Sequence, residues 1–222
     1  MSAPEKLPLA VVISGRGSNM AAIAHACQQG AIAARIVRVI ADRRSAGGIE
    51  LATQLGLDVS VVPYSGFASR EAFERALAEC IDESGARLVV LAGFLRILSP
   101  EFTRRYTGAL LNIHPALLPK FRGLHTHERA LEAQEREHGA SVHFVTGELD
   151  AGPVVLQGRV PIMSGDTPET LSARVQRVEH IIYPKVIGLI AAGRIRVADD
   201  QVYLDDRRLS EPLVDSSGVL SP

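Results

Sequence analysis

The stretch Leu110-Leu111-Asn112-Ile113-His114-Pro115-Ala116-Leu117-Leu118-Pro119 places a carboxamide and an imidazole two residues apart, where an apolar run meets a turn bounded by prolines. Residues 109–113 read as a buried strand. Alternation along a strand then puts the side chains of Asn112 and His114 on one face, directed past the strand's end. An amide that donates two N–H bonds beside a ring that donates or accepts suits polarising a carbonyl and moving a proton. The plainer alternative is a strand closing in a polar turn, with Asn capping backbone and His half exposed.

Two other motifs could cooperate with this pair. Ser14-Gly15-Arg16-Gly17-Ser18-Asn19 lies directly after the first apolar run and before the first helical pattern. Glycines there allow close backbone approach, and a helix N-terminus offers free N–H groups and the positive end of its dipole to an anion. A P-loop would need a following Gly-Lys-Ser/Thr, which is missing. A dinucleotide fingerprint would need a small residue where Met20 stands, although Asp42 after the second run resembles a ribose-binding acid. A phosphate monoester is the preferred ligand, with a dinucleotide or a purely structural turn as alternatives. The third motif, Thr146-Gly147-Glu148-Leu149-Asp150-Ala151-Gly152-Pro153, is an acidic loop leaving a strand. If Asp150 approached His114 it would favour the charged ring; alone, the segment is ordinary turn chemistry.

The elements that must position these groups follow from the apolar pattern. Runs at 9–14, 36–41, 59–63, 88–92 and 109–113 are rich in Val, Ile and Leu, as strands covered on both faces should be. Helical periodicity fills 19–29, 48–55, 70–84, 100–106 and 128–137 between and after them. Such alternation predicts an α/β fold, a Rossmann-like, mostly parallel twisted sheet flanked by helices. Two further strands are expected at 141–145 and 154–160. A long C-terminal helix then runs from the Thr167-Pro168-Glu169 start to Gly193, bent at Pro184. The tail carries short β-like pieces at 195–197 and 201–204. The chain is expected to be one domain over 1–222, with 1–6 and about 210–222 flexible.

Composition limits the partners. The 222 residues are 46% hydrophobic and 22% charged with a net charge of −1, so no basic field calls for nucleic acid, and no run has the length of a membrane span. Cys27 and Cys80 match neither a disulfide framework nor a zinc spacing, and no leader is recognisable, which points to the cytoplasm. His125, His127, His138 and His143 lack zinc spacing and read as loop and helix-cap histidines, one of which can touch ligand; no metal is expected. A Ser-His-Asp hydrolase lacks its Gly-x-Ser-x-Gly elbow.

Together these motifs resemble the phosphoribosylglycinamide formyltransferase family, the folate-dependent formyltransferases of purine synthesis. The likeness rests on Ile13-Ser14-Gly15-x-Gly17-Ser18-Asn19, Val90 through Ser99, Leu111 through Pro119, Gly123-Leu124-His125-Thr126-His127 and Glu148 through Pro153, and extends from the first strand to about Leu209. It implies transfer of the formyl group of 10-formyltetrahydrofolate to the amine of glycinamide ribonucleotide, with these two small molecules as partners and no metal. Asn112, His114 and Asp150 would be catalytic. Gly17, Ser18 and Asn19 would hold the phosphate, and Glu179 another part of that substrate. The folate would meet Arg70, Leu95, Arg96, Ile97, Leu98, Asn112, Thr146, Gly147, Glu148, Leu149 and Asp150. A monomer or homodimer is expected. Arg16 stands where a neutral polar residue is common, and Gly147 where an acid is. Methionyl-tRNA formyltransferases carry a further C-terminal domain and formyltetrahydrofolate deformylases an N-terminal one; neither is expected here. A non-catalytic sensor of a phosphorylated metabolite would also use the Gly-rich loop.

Overall fold

The computed structural model describes residues 5–215. Strand β1 (Leu7–Ile13) leads to α1 (Ser18–Gln28), β2 (Ala34–Ala41), α2 (Gly48–Gln54), β3 (Val59–Val61), α3 (Arg70–Glu83), β4 (Leu88–Leu91), α4 (Pro100–Arg105) and β5 (Leu110–His114). There follow α5 (Thr126–Glu132), β6 (Glu137–Phe144), β7 (Val154–Pro161), α6 (Pro168–Ala191), β8 (Ile195–Ala198), β9 (Gln201–Leu204), β10 (Arg207–Arg208) and β11 (Leu213–Asp215). The main sheet has the order β11-β7-β6-β5-β4-β1-β2-β3. Strands β3 to β5 are parallel, β6 is antiparallel to both neighbours, and β11 runs parallel to β7.

Alternation along the central strands divides the core. Leu9, Val11 and Ile13 of β1 join Leu88 and Val90 of β4 under α1 and α6, whereas Ala10, Val12, Val89 and Leu91 face α3 and α4. The chain order reverses between β1 and β4. At such a switch point the loops leaving the carboxyl ends of the two strands diverge and open a crevice.

Some expectations are corrected. The helix expected over 128–137 begins at Thr126 and ends at Glu132, because Gln134 adopts a left-handed conformation (φ 52°) and Glu137 already belongs to β6. As expected, α6 runs through Pro184, but it ends at Ala191 rather than at Gly193. The missing proline N–H costs one bond, while the buried Leu171, Val175, Val178, Ile182 and Ile187 hold the helix on the sheet. The β-like tail pieces form a separate antiparallel sheet, β10-β9-β8. Of the ends expected to be flexible, Leu213–Asp215 instead pair with β7, and Lys185 Nζ lies 2.6 Å from Asp215. Residues 1–4 and 216–222 lie outside the described residues.

Candidate active site

Asn112 and His114 both face the crevice from β5. The antiparallel neighbour β6 sets His143 opposite Asn112. His143 is buried, and its Nδ1 lies 3.0 Å from the Phe144 carbonyl, which can only accept. Burial pushes this imidazole down to about 4, against a weaker opposing pull from that carbonyl bond and from Asp150. A neutral ring with its proton on Nδ1 leaves Nε2 as an acceptor, and Asn112 Nδ2 donates to it over 3.1 Å. This bond orients the carboxamide and leaves its second N–H for the crevice.

Asp150, at the turn after β6 with φ 48°, reaches the same spot. Its Oδ2 accepts from Gly123 N–H at 2.9 Å and lies 3.4 Å from His114 Nδ1, while Oδ1 lies 3.7 Å from His143 Nε2. His114 Nε2 donates to the Phe121 carbonyl at 2.9 Å. The ring is thus held between two acceptors, a backbone carbonyl and a carboxylate. Behind it, Ser141 Oγ accepts from Leu118 N–H and donates to Ala116 O, and Gln157 Nε2 donates to both Ser141 Oγ and Leu118 O. These buried bonds fix the turn 115–119 to β6 and β7.

The crevice, about 500 Å³, extends both ways from this cluster. One end continues into a recess of about 230 Å³ walled by Gly15 to Asn19 and by Ser172, Gln176 and Glu179 of α6. Helix α1 has no side-chain cap, so its first-turn amides remain available to a ligand. Gln176 Nε2 donates to Ser18 Oγ over 3.1 Å, which leaves the Ser18 proton free to point elsewhere. Glu179 is buried, accepts from Asn19 Nδ2 at 2.8 Å, and has its carboxyl raised by burial. Gly17 sits at φ 77°, and a Cβ there would lie 2.8 Å from Gly48 Cα. Gly48 N–H also donates to Gly15 O. Gly17 therefore lets the loop pack on the start of α2 as well as approach an anion, and Gly17→Val would disturb folding before it tested phosphate binding.

The other end is more exposed and more apolar. Leu95, Ile97 and Leu149 are 63%, 62% and 48% exposed in the crevice, and a side recess of about 90 Å³ reaches back to Thr103, Thr146 and Gly147. Expectations for single residues divide here. Leu98 is largely buried beside α4, and it also lines that side recess. Arg96 lines the crevice with its charge already engaged, its Nε 2.8 Å from buried Asp42 and its guanidinium stacked 4.2 Å from the Tyr64 ring. Asp42 is clasped by Arg96 and Arg43, which hold its carboxyl down against burial, so it is not free for a ribose. Arg70 opens α3 outside the crevice lining, 3.9 Å from Glu74, the carboxylate that accepts from Ser99 N–H and from the Ser99 hydroxyl. Glu148 turns outward to Arg122 at 2.6 Å.

A family model described as formyl transferase matches residues 7–187. The chain belongs to the formyl transferase family. Within that family, the phosphoribosylglycinamide formyltransferase of Escherichia coli (strain K12) is 50% identical over 90% of this chain and 95% of its own length. The corresponding protein of Haemophilus influenzae is 42% identical over 90% of this chain and 95% of its own length. The solved phosphoribosylglycinamide formyltransferase of Coxiella burnetii superposes with a TM-score of 0.91 at 48% identity, covering 95% of this chain and 99% of that one.

Seen as a formyl transferase, the chain brings together Asn112, His114 and Asp150 midway along the crevice, Gly17, Ser18, Asn19 and Glu179 at one end, and Leu95, Ile97 and Leu149 at the other. Sequence reasoning missed His143 and Gln176. Of the histidines read as loop or cap residues, His125 caps α5, whereas His138 and His143 are buried in β6, His143 within the strand expected over 141–145. Only strand pairing could have found His143, since it lies 31 residues from Asn112. Among the described residues no group of three or more His, Cys, Asp or Glu is placed to hold a metal ion, and no helix is long and apolar enough to cross a membrane.

Proposed function

We propose that this chain transfers the formyl group of 10-formyltetrahydrofolate to the amine of glycinamide ribonucleotide, a step of purine biosynthesis. The observation that carries this reading is that the Asn112–His114–Asp150 cluster stands midway along one continuous crevice whose ends differ in chemistry. Backbone amides and hydroxyls at the α1 end suit a sugar phosphate, and exposed leucine and isoleucine with loop backbone at the other suit a flat heterocycle.

The amine of the ribonucleotide forms the new C–N bond to the formyl carbon. Asn112, fixed by His143, donates its free N–H to the oxygen on which charge develops, and His114 gives up its bond to Phe121 to donate to the same oxygen. Asp150, anchored by Gly123 N–H, holds the ring's far nitrogen. The bond from the formyl carbon to the folate nitrogen then breaks. The proton lost by the attacking amine replaces it on that nitrogen, by way of the Asp150–His114 pair and water.

The test is a spectrophotometric assay of 10-formyltetrahydrofolate consumption, with and without glycinamide ribonucleotide. Tetrahydrofolate formed only with the amine supports transfer. Release without the amine would point to a deformylase. Absence of reaction in both arms would favour the tRNA formyltransferase or sensor reading.

A further inference from the structure

The phosphate end of the crevice has an unusual charge balance. A phosphate monoester carries about −1.5 to −2 at pH 7, whereas a helix N-terminus supplies the equivalent of only about half a positive charge. Among the described residues walling this recess, Glu179 is the one acid and Arg16 the one lysine or arginine. Arg16 is exposed and makes no hydrogen bond or ion pair with any described residue, in contrast to Arg43, Arg96, Arg105, Arg122, Arg174 and Arg194, which are all paired. It stands between Gly15 and Gly17, on the loop whose amides open into the recess. A second feature marks this recess as a ligand site independently of the helix terminus: Asn19 is 8% exposed, and its Oδ1 is buried without a hydrogen-bond partner beside Glu179.

We infer that Arg16 is a specificity-determining residue, a fixed cation that closes on the phosphate of the amine substrate from the solvent side while the loop amides and Ser18 hold it from below. The inference rests on the reading of the recess as the sugar-phosphate end. It adds a full charge to a site otherwise made of neutral donors. Recognition thereby gains a component that distinguishes a charged phosphate from an unphosphorylated riboside and weakens with ionic strength. The guanidinium also offers a planar fork that grips two phosphate oxygens, which an ammonium cannot reproduce.

The experiment compares the intact wild-type chain with Arg16→Asn, Arg16→Lys and a charge-matched control, Arg35→Asn. Arg35 is exposed near the amino end of β2, whereas the crevice lies at the carboxyl ends of the parallel strands. Ribose 5-phosphate binding is read by calorimetry, and KM for each substrate and kcat by the transfer assay, at about 20 mM and about 500 mM salt. Arg16→Asn should weaken ribose 5-phosphate, and raise KM for glycinamide ribonucleotide, about 5- to 10-fold at low salt. The KM for the folate should stay within about twofold, and the deficit should shrink at high salt. Arg16→Lys should recover part of the loss.

Ribose 5-phosphate affinity within about twofold of wild type in Arg16→Asn at low salt would overturn the assignment. So would an equal effect of Arg35→Asn, a fall in kcat at unchanged KM, or no binding of the sugar phosphate by the wild type. If the wild type binds the sugar phosphate in an Arg16-dependent way but does not formylate glycinamide ribonucleotide, the functional reading fails and the anion contact stands.

Discussion

The two walls that meet at the reaction centre are built differently. On the β5–β6 side every polar side chain is tied to a neighbour: Asn112 to His143, His143 to the Phe144 carbonyl, and His114 to Phe121 and Asp150. On the apolar side, Leu95, Ile97 and Leu149 stand well exposed, and the loop that carries Leu95 and Ile97 is held from behind, by Arg96 on Asp42, Leu95 N–H on Ser14 Oγ, and Ser99 on Glu74. One wall is organised before substrate arrives, so dipoles aimed at a developing charge need little reorientation. The other supplies apolar area that becomes useful only when a ligand covers it.

If that contrast is right, substitutions on the first wall should act on turnover and those on the second on binding. The largest effects are expected from Asn112→Ala, His114→Ala and Asp150→Asn, each lowering kcat by about 10²–10⁴ with much smaller changes in either KM. Steady-state kinetics with both substrates would check this, and a variant that kept near wild-type kcat would leave the scheme.

The next effect isolates orientation from chemistry. His143→Phe should lower kcat about 10- to 100-fold by releasing the Asn112 carboxamide, and the double variant with Asn112→Ala should be little worse than Asn112→Ala alone. Additive losses in that cycle would mean that His143 acts by another route. Smaller still, Leu95→Ala and Leu149→Ala should raise the folate KM about 3- to 10-fold and leave kcat nearly unchanged. A matching rise in the KM for the ribonucleotide would blur the division between the two ends.

Stability should also separate the walls as pH falls. His138 and His143 on β6 are both driven down to about 4, chiefly by burial. An unfolded histidine takes up its proton near 6.5, above the folded value, so the unfolded state binds more protons between about 6.5 and 4. Stability contributed by these neutral rings is present above that window, falls with pH across it, and changes no further below it. Thermal melts should therefore show Tm dropping by several degrees through this range. His138→Gln should flatten the drop, and a slope unchanged in that variant would place its origin elsewhere.

The same contrast explains what could be seen in the chain beforehand. Alternation in the segment 110–114 was enough to put Asn112 and His114 on one face, because neighbours along one strand keep their relation whatever the fold does. The turn after β1 announced itself through Gly15 and Gly17. His143, Gln176 and the clasp on Asp42 depend on which strands and helices become adjacent, and that is decided by burial summed over the whole sheet. Leu98 and Arg96 show the converse: a motif fixes the loop without revealing that one of its lining side chains also packs on the core and another is already paired with Asp42. Strand β11 was hidden for a further reason, since its residues 213–215 are too few to show any period.

The close approach of Gly17 and Gly48 has a consequence for how this scaffold can diverge. A Cβ on Gly48 would lie 2.7 Å from Ile13 Cδ1 and 3.1 Å from Gly17 Cα, just as one on Gly17 would strike Gly48. Neither position can gain a side chain alone, and enlarging both makes the collision worse. Libraries built on this chain should treat the pair as one locked coordinate and seek new ligand preferences at Arg16, where the backbone imposes no such veto.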